Sequence, residues 1–278
     1  MSERVFLPGT QIELVHEFPK GRFKHVLFDF DGTLSLLREG WQRIMGPLCI
    51  EMICGDTPAT PEITREVWEM IEETTGIQTI FQMERLVDMV RAHGLVPEDR
   101  ILDVYGYKDL YNDRLMVPVR QRIARIESGE CTAQDFTVCG TFDFLRHMAE
   151  QGVAMYVFSG TDEADVRNEA EKLGIAGFFT EIWGALRTVE EYSKEKVIRE
   201  LMARHDLHGT EVLAVGDGPI ELRSVKEHGG VALGVASNEA TGIGWNEEKR
   251  LRLLRSGADL IVPDFGEADT IVEYLFSG

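Results

Sequence analysis

The sequence has little that would tie it to an oxidising compartment, a membrane or a polyanion. Its four cysteines, Cys49, Cys54, Cys131 and Cys139, form no CxxC pairs and have no histidine at zinc-ligand spacing. That excludes a zinc ribbon. Cys49 and Cys54 fall in an apolar helical pattern, where free buried thiols are expected. The N-terminal stretch "MSERVFLPGTQIELVHEF" lacks the basic-then-apolar order of a secretory signal. No apolar run approaches the ~20 residues of a membrane-spanning helix, so a cytoplasmic protein is expected. Basic residues are scarce. There are 29 Lys and Arg against 48 Asp and Glu, a net charge of −19, which disfavours nucleic acid and anionic membrane as partners. An anion site would have to be a local exception built from lysine, backbone amides or a metal cation. Neither "GDGPIE" nor "GGVALG" fulfils G-x-G-x-x-G, which excludes a dinucleotide loop. The histidines are scattered, and none pairs with another at ligand spacing.

What is present is an ordinary globular composition, 44% hydrophobic and 28% charged over 278 residues. That is enough chain for one large domain or two modest ones. Residues 1–24, with "LPGT" and "FPKG", predict a short hairpin. His25–Phe30 is a largely apolar run, as expected of a parallel strand covered on both faces, and "DGT" ends it as a turn. From Leu36 to about Glu127 apolar residues recur at three-four spacing, broken by Gly and Pro, with no convincing strand. After "ESGECTAQDFTVCG" the period changes. Helical patterns alternate with the buried runs "VAMYVFSG", "FFTEIWG", "EVLAVGDG", "VALGVAS" and "ADLIVPD". Such alternation implies right-handed crossovers and a parallel sheet. The expected fold class is therefore α/β, a three-layer Rossmann-like parallel-sheet core of residues 1–35 and 133–278. Residues 36–132 form an inserted, all-helical domain.

Ligands of open α/β sheets bind at the carboxyl ends of the strands. Along those ends the sequence places Asp29 and Asp31, then Ser159 and Thr161, then Asp217 in "GDG"; Lys194 opens an intervening helix. Two like charges at one strand end need compensation. Phosphoryl transfer through a carboxylate nucleophile fits this set. Asp29 is read as the nucleophile and Asp31 as the group that protonates the leaving alkoxide and then deprotonates water. Ser159 and the backbone around Gly160 would donate to phosphoryl oxygens, and Lys194 would supply fixed positive charge. Asp29 and Asp217 are hard oxygen ligands for one Mg²⁺, with the backbone carbonyl of Asp31 facing the same ion.

"DFDGT", the serine of "FSGT", a lysine opening a helix and the later "GDG" resemble, in order, the four motifs of the haloacid dehalogenase-like superfamily. More narrowly, the chain resembles its phosphoglycolate phosphatase and β-phosphoglucomutase branch. The resemblance covers the α/β core on both sides of the insertion. It implies a Mg²⁺-dependent phosphatase forming an aspartyl phosphate, and a helical cap, inserted after the first motif, that closes over the substrate. The fourth motif often continues with a further Asp where this chain has Glu221, leaving Glu221 and Thr33 as supporting residues around the metal. The lysine motif offers Lys194 and Lys196, and the family spacing to Ile198 favours Lys194.

A small phosphorylated metabolite is the expected partner. Arg38, Trp41, Arg43 and Gln78, with Thr75, Gln82, Tyr107 and Lys108 behind them, are the cap residues that would select it. A phosphomutase returning the group to a sugar shares the same chemistry. A non-catalytic metabolite-binding protein on this fold is the alternative from another class, although a pure binder has no need of a nucleophile and acid pair.

Overall fold

The apolar runs become the central strands of one sheet. The computed structural model describes residues 4–185, 194–205 and 209–277, apart from the side chains of residues 194, 195, 197, 198 and 205. Among these, the strands are β1 (Val5–Phe6), β2 (Glu13–Leu14), β3 (His25–Phe28), β4 (Ala154–Asp162), β5 (Glu181–Ala185), β6 (Val212–Gly216), β7 (Val231–Val235) and β8 (Leu260–Val262). Their order across the sheet is β1-β2-β8-β7-β6-β3-β4-β5. β3 to β8 are mutually parallel, and every residue of β6 and β7 is buried. That explains their lack of polar alternation. The N-terminal hairpin exists and adds antiparallel to β8, so it extends the edge of the sheet and does not pair with β3.

The crossover helices of this unit are α5 (Thr141–Glu150), α6 (Glu163–Lys172), α7 (Lys194–His205), α8 (Pro219–Glu227), α9 (Glu247–Arg255) and the terminal α10 (Ala268–Phe276). Side chains alternate along β3 and thereby serve two layers. Leu27 joins a cluster with Leu201 of α7, Leu222 and Val225 of α8, and Leu253 of α9. Phe28, on the other face, meets Phe144 of α5 edge to face, and Phe144 stacks on Phe265 at 4.4 Å. The result is the expected three-layer α/β arrangement.

The chain divides into two compact units, residues 1–39 with 122–278, and residues 40–121. The second contains α1 (Gln42–Cys54), α2 (Pro61–Glu73), α3 (Thr79–His93) and most of α4 (Val104–Glu127). α1 packs against α2 and α3. Gly46 allows the close approach of Trp68, whose ring a Cβ there would meet at 2.8 Å. α2 begins at Thr60, whose Oγ1 accepts from Ile63 N–H, with Pro61 in the first helical position. Cys49 and Cys54 are buried free thiols, and burial pushes the Cys49 thiol up to about 12. No helix among the described residues is long and apolar enough to cross a membrane.

Candidate active site

β3 and β6 are neighbours in parallel register, with Phe28 level with Val215. Asp29 and Asp217 therefore leave adjacent strands at nearly the same height. The β3 ladder ends at Phe28. Asp29 N–H still donates to Val215 O at 2.9 Å, and the chain then turns, Leu34 and Ser35 both donating to Phe30 O. Thr33, fully buried on this turn, has Oγ1 3.3 Å from Asp29 Oδ2 and 3.4 Å from Asp217 Oδ1. A hydroxyl has one proton, so Thr33 can donate to only one of these carboxylates at a time. Gly32 holds φ at +78°, and a Cβ there would stand 2.6 Å from Asp217 Oδ2. The glycine is required both by its backbone and by the space Asp217 occupies.

Asp217 is followed by α8, which Pro219 opens. Glu221 in its first turn turns back, so that Oε1 accepts from Gly218 N–H at 2.7 Å. One carboxylate oxygen from each of Asp29, Asp217 and Glu221 lies within 4.8 Å of the others. Three converging anionic oxygens repel one another unless a cation or proton intervenes. As an all-oxygen, hard donor set they suit Mg²⁺.

Asp31 faces a different environment. Its Oδ2 accepts from Ser159 Oγ at 3.1 Å and from Thr161 Oγ1 at 2.8 Å, while Thr161 N–H donates to Ser159 Oγ at 3.0 Å. The pairing of β4 with β5 shifts register between Phe158 and Asp162, which includes Ser159, Gly160 and Thr161. Asp31 Oδ1 is buried without a hydrogen bond among the described residues and lies 3.8 Å from Arg38 Nε.

Arg38, expected among the residues selecting substrate, belongs to the α/β unit and is buried there. It binds Glu169 through Nε and Nη2 at 3.0 and 2.7 Å, and Asp165 through Nη2 at 3.2 Å. Burial pushes the Glu169 carboxyl up to about 7, against the pull of Arg38. Burial also opposes the Arg38 charge, but Glu169, Asp31 and Asp165 outweigh it and keep the guanidinium protonated.

Three residues that sequence reasoning missed, Lys249, Glu239 and Ser237, complete the cluster. Lys249 of α9 is buried, with Nζ 2.6 Å from Asp217 Oδ2 and 2.7 Å from Glu239 Oε1. Burial acts to discharge this ammonium; Asp217 and Glu239 overcome it and raise its pKa. The signal was available, because the loop after β7 also starts at a strand carboxyl end. Ser237 in that loop donates to Gly32 O at 2.9 Å.

Lys194 opens α7, but its side chain lies outside the described residues; Lys196 is half-buried. Trp41, Arg43 and Gln78 belong to the helical unit. Trp41 is the residue before α1, Arg43 is exposed and Gln78 is buried at the cap of α3. Gln82 donates to Thr74 O and Oγ1 at 3.3 and 3.2 Å, and Thr75 Oγ1 donates to Ile71 O at 2.9 Å, so this polar patch ties the end of α2 to α3. Tyr107 is buried, which raises its phenol pKa, and Lys108 is half-buried.

No curated protein matches the chain. Among solved structures, it is similar to a predicted phosphoglycolate phosphatase from Haemophilus somnus 129PT, with 18% identity and a TM-score of 0.61 over 90% of this chain and 98% of the other. It is similar to β-phosphoglucomutase from Clostridium difficile at 14% identity and a TM-score of 0.61, covering 92% of this chain and 97% of that one. A CbbY variant from Rhodobacter sphaeroides, in complex with xylulose-1,5-bisphosphate, aligns at 16% identity and a TM-score of 0.56, over 88% and 96% of the two chains. These likenesses concern the fold. Residues 23–229 match the family model for haloacid dehalogenase-like hydrolases, a span holding Asp29, Asp31, Ser159, Lys194 and Asp217. The chain belongs to the haloacid dehalogenase-like hydrolase family.

Proposed function

We propose that this protein is a Mg²⁺-dependent phosphatase that hydrolyses a small phosphorylated metabolite through a phosphorylated Asp29. The observation that carries this reading is the unequal setting of two carboxylates two residues apart. Asp29 sits among the oxygens of Asp217 and Glu221, whereas Asp31 sits among the hydroxyls of Ser159 and Thr161. Different surroundings give like groups different roles.

In the first half-reaction a carboxylate oxygen of Asp29 attacks phosphorus, and the bond to the leaving oxygen breaks. Asp31 gives its proton to the departing alkoxide. In the second, Asp31 takes a proton from water, the resulting hydroxide attacks phosphorus, and Asp29 is released with inorganic phosphate. Ser159 is already within hydrogen-bond reach of Asp31 and can turn its donor to a phosphoryl oxygen, with Lys194 adding positive charge. Held by Asp29, Asp217 and the Asp31 carbonyl, with Glu221 supporting, Mg²⁺ would neutralise nucleophile and phosphate so that two anions can meet.

Release of nitrophenolate from p-nitrophenyl phosphate, with and without Mg²⁺, tests the reading. Metal-dependent turnover is expected in the wild type and not in Asp29→Asn; equal rates in the two would overturn it. The bound sugar bisphosphate and the phosphatase and mutase names among the structural neighbours support a small phosphorylated substrate. A phosphomutase would use the same two aspartates, but it would interconvert sugar phosphates with little net release of phosphate.

A further inference from the structure

Among the described residues, the two oxygens of Asp217 face different neighbours. Oδ1 faces Thr33 Oγ1, which also reaches Asp29, while Oδ2 lies 2.6 Å from Lys249 Nζ. The same ammonium lies 2.7 Å from Glu239 Oε1. The three groups crowd the space beside Gly32, where a Cβ would be 2.6 Å from Asp217 Oδ2 and 3.1 Å from Glu239 Oε1. Lys249 is set in place by its helix. Asn246 Oδ1 caps α9 by accepting from Lys249 N–H at 3.0 Å, and Arg252, one turn on, donates through Nη2 to Asp217 O at 3.3 Å. α9 thus contacts Asp217 at both its carboxylate and its backbone. Lys249 and Glu239 both lie beyond residues 23–229, the span of the family match.

We infer that Lys249 is a positioning residue that limits Asp217 to one coordinating oxygen, keeps Glu239 out of coordination, and so sets the site for Mg²⁺ against Ca²⁺. The inference rests on the reading of Asp29 and Asp217 as cation ligands. Mg²⁺ is small, takes six ligands in near-ideal octahedral geometry and keeps several waters. Ca²⁺ takes six to eight oxygens and accepts bidentate carboxylates. The oxygens that a larger ion would recruit here are Asp217 Oδ2 and Glu239 Oε1, and both are engaged by one buried ammonium. Loss of Lys249 makes them available and enlarges the possible coordination number. It also removes a positive charge, which should strengthen binding of either ion. The ratio of the two affinities therefore isolates the geometric effect.

The test is calorimetric titration of Mg²⁺ and of Ca²⁺ separately into chelator-stripped full-length protein, comparing wild type, Lys249→Met, and Lys249→Met with Glu239→Gln. The double variant keeps the net charge and decides the question if the single variant does not fold. Relative to wild type, Ca²⁺ affinity should rise against Mg²⁺ affinity by about tenfold or more in the single variant. The shift should persist, at about threefold or more, in the double variant, where Asp217 Oδ2 is still released. Ratios within about twofold of wild type in both variants would overturn the inference. So would a shift in the single variant that vanishes in the double, since the released Asp217 Oδ2 would then recruit nothing and Lys249 would not be what limits Asp217 to one oxygen. Wild-type binding that Asp217→Asn leaves unchanged would instead overturn the assignment of the cation site itself.

Discussion

Arg38 holds Glu169 through two guanidinium nitrogens, with Nε 3.0 Å and Nη2 2.7 Å from Oε1, and both residues are buried in the α/β unit. The pair joins the turn after β3 to α6. Arg38 Nε also stands 3.8 Å from Asp31 Oδ1, so one cation serves a buried structural carboxylate and the proposed proton donor together.

Removing that cation should be costly. Arg38→Ala leaves Glu169 buried without its counter-ion, which typically destabilises by about 3–5 kcal/mol. Urea denaturation at pH 8 should show a loss of that size. Arg38→Met combined with Glu169→Leu should recover most of it, because the fully buried charge of Glu169 is then gone and only the part-exposed Asp31 and Asp165 lose their cation. A loss below about 1 kcal/mol in Arg38→Ala would mean that solvent reaches the site and the pair is not buried in solution.

Glu169 should impose a pH dependence on stability. Its carboxyl is raised from 4.5 to about 7 in the folded chain, first by burial. Between those values the folded state keeps a proton that the unfolded state has lost. The contribution is full below about pH 4.5 and is lost as pH rises through 7. Glu169→Gln has no proton to lose, so its stability relative to wild type should improve by about 3 kcal/mol between pH 4.5 and 7. A constant difference across denaturation curves in that window would remove Glu169 as the titrating group.

Gly32→Ala tests how closely the first turn fits Asp217. The positive φ alone disfavours alanine by about 1 kcal/mol, which thermal melting can resolve. The larger expected effect is on p-nitrophenyl phosphate turnover. The new Cβ must displace Asp217 Oδ2, 2.6 Å away, and about a tenfold or greater fall in kcat is expected. Unchanged kcat with a lowered melting temperature would show that the contact is structural only.

The proton role of Asp31 separates substrates by leaving group. Asp31→Asn should lose far more rate on an alkyl phosphate than on p-nitrophenyl phosphate, whose phenolate departs without protonation. General acid–base assistance of this kind is usually worth about 10²–10⁴-fold. Ser159→Ala should lower both rates by similar factors, since a phosphoryl-oxygen donor acts regardless of leaving group. Equal losses on both substrates in Asp31→Asn would take Asp31 out of the acid role.

The sequence by itself determined the alternation of strand and helix, the helical stretch after the first motif, and the placement of Asp29 and Asp217 just beyond strand ends, whereas Ser159 lies within β4, at its register shift. Those features depend on hydrophobic period and turn residues, which act over a few positions along the chain. The tertiary structure decided which charges meet. Arg38 reads as a residue reaching for substrate, yet its guanidinium is taken by Glu169, 131 positions away. Lys249 stands among several charges in "NEEKRLRLLRSG", yet it is buried against Asp217 and Glu239. Pairing over such separations follows from strand order, because β3 lies between β4 and β6 and β7 borders β6. No local pattern encodes that adjacency, and a buried charge must take whichever counter-charge the sheet sets beside it.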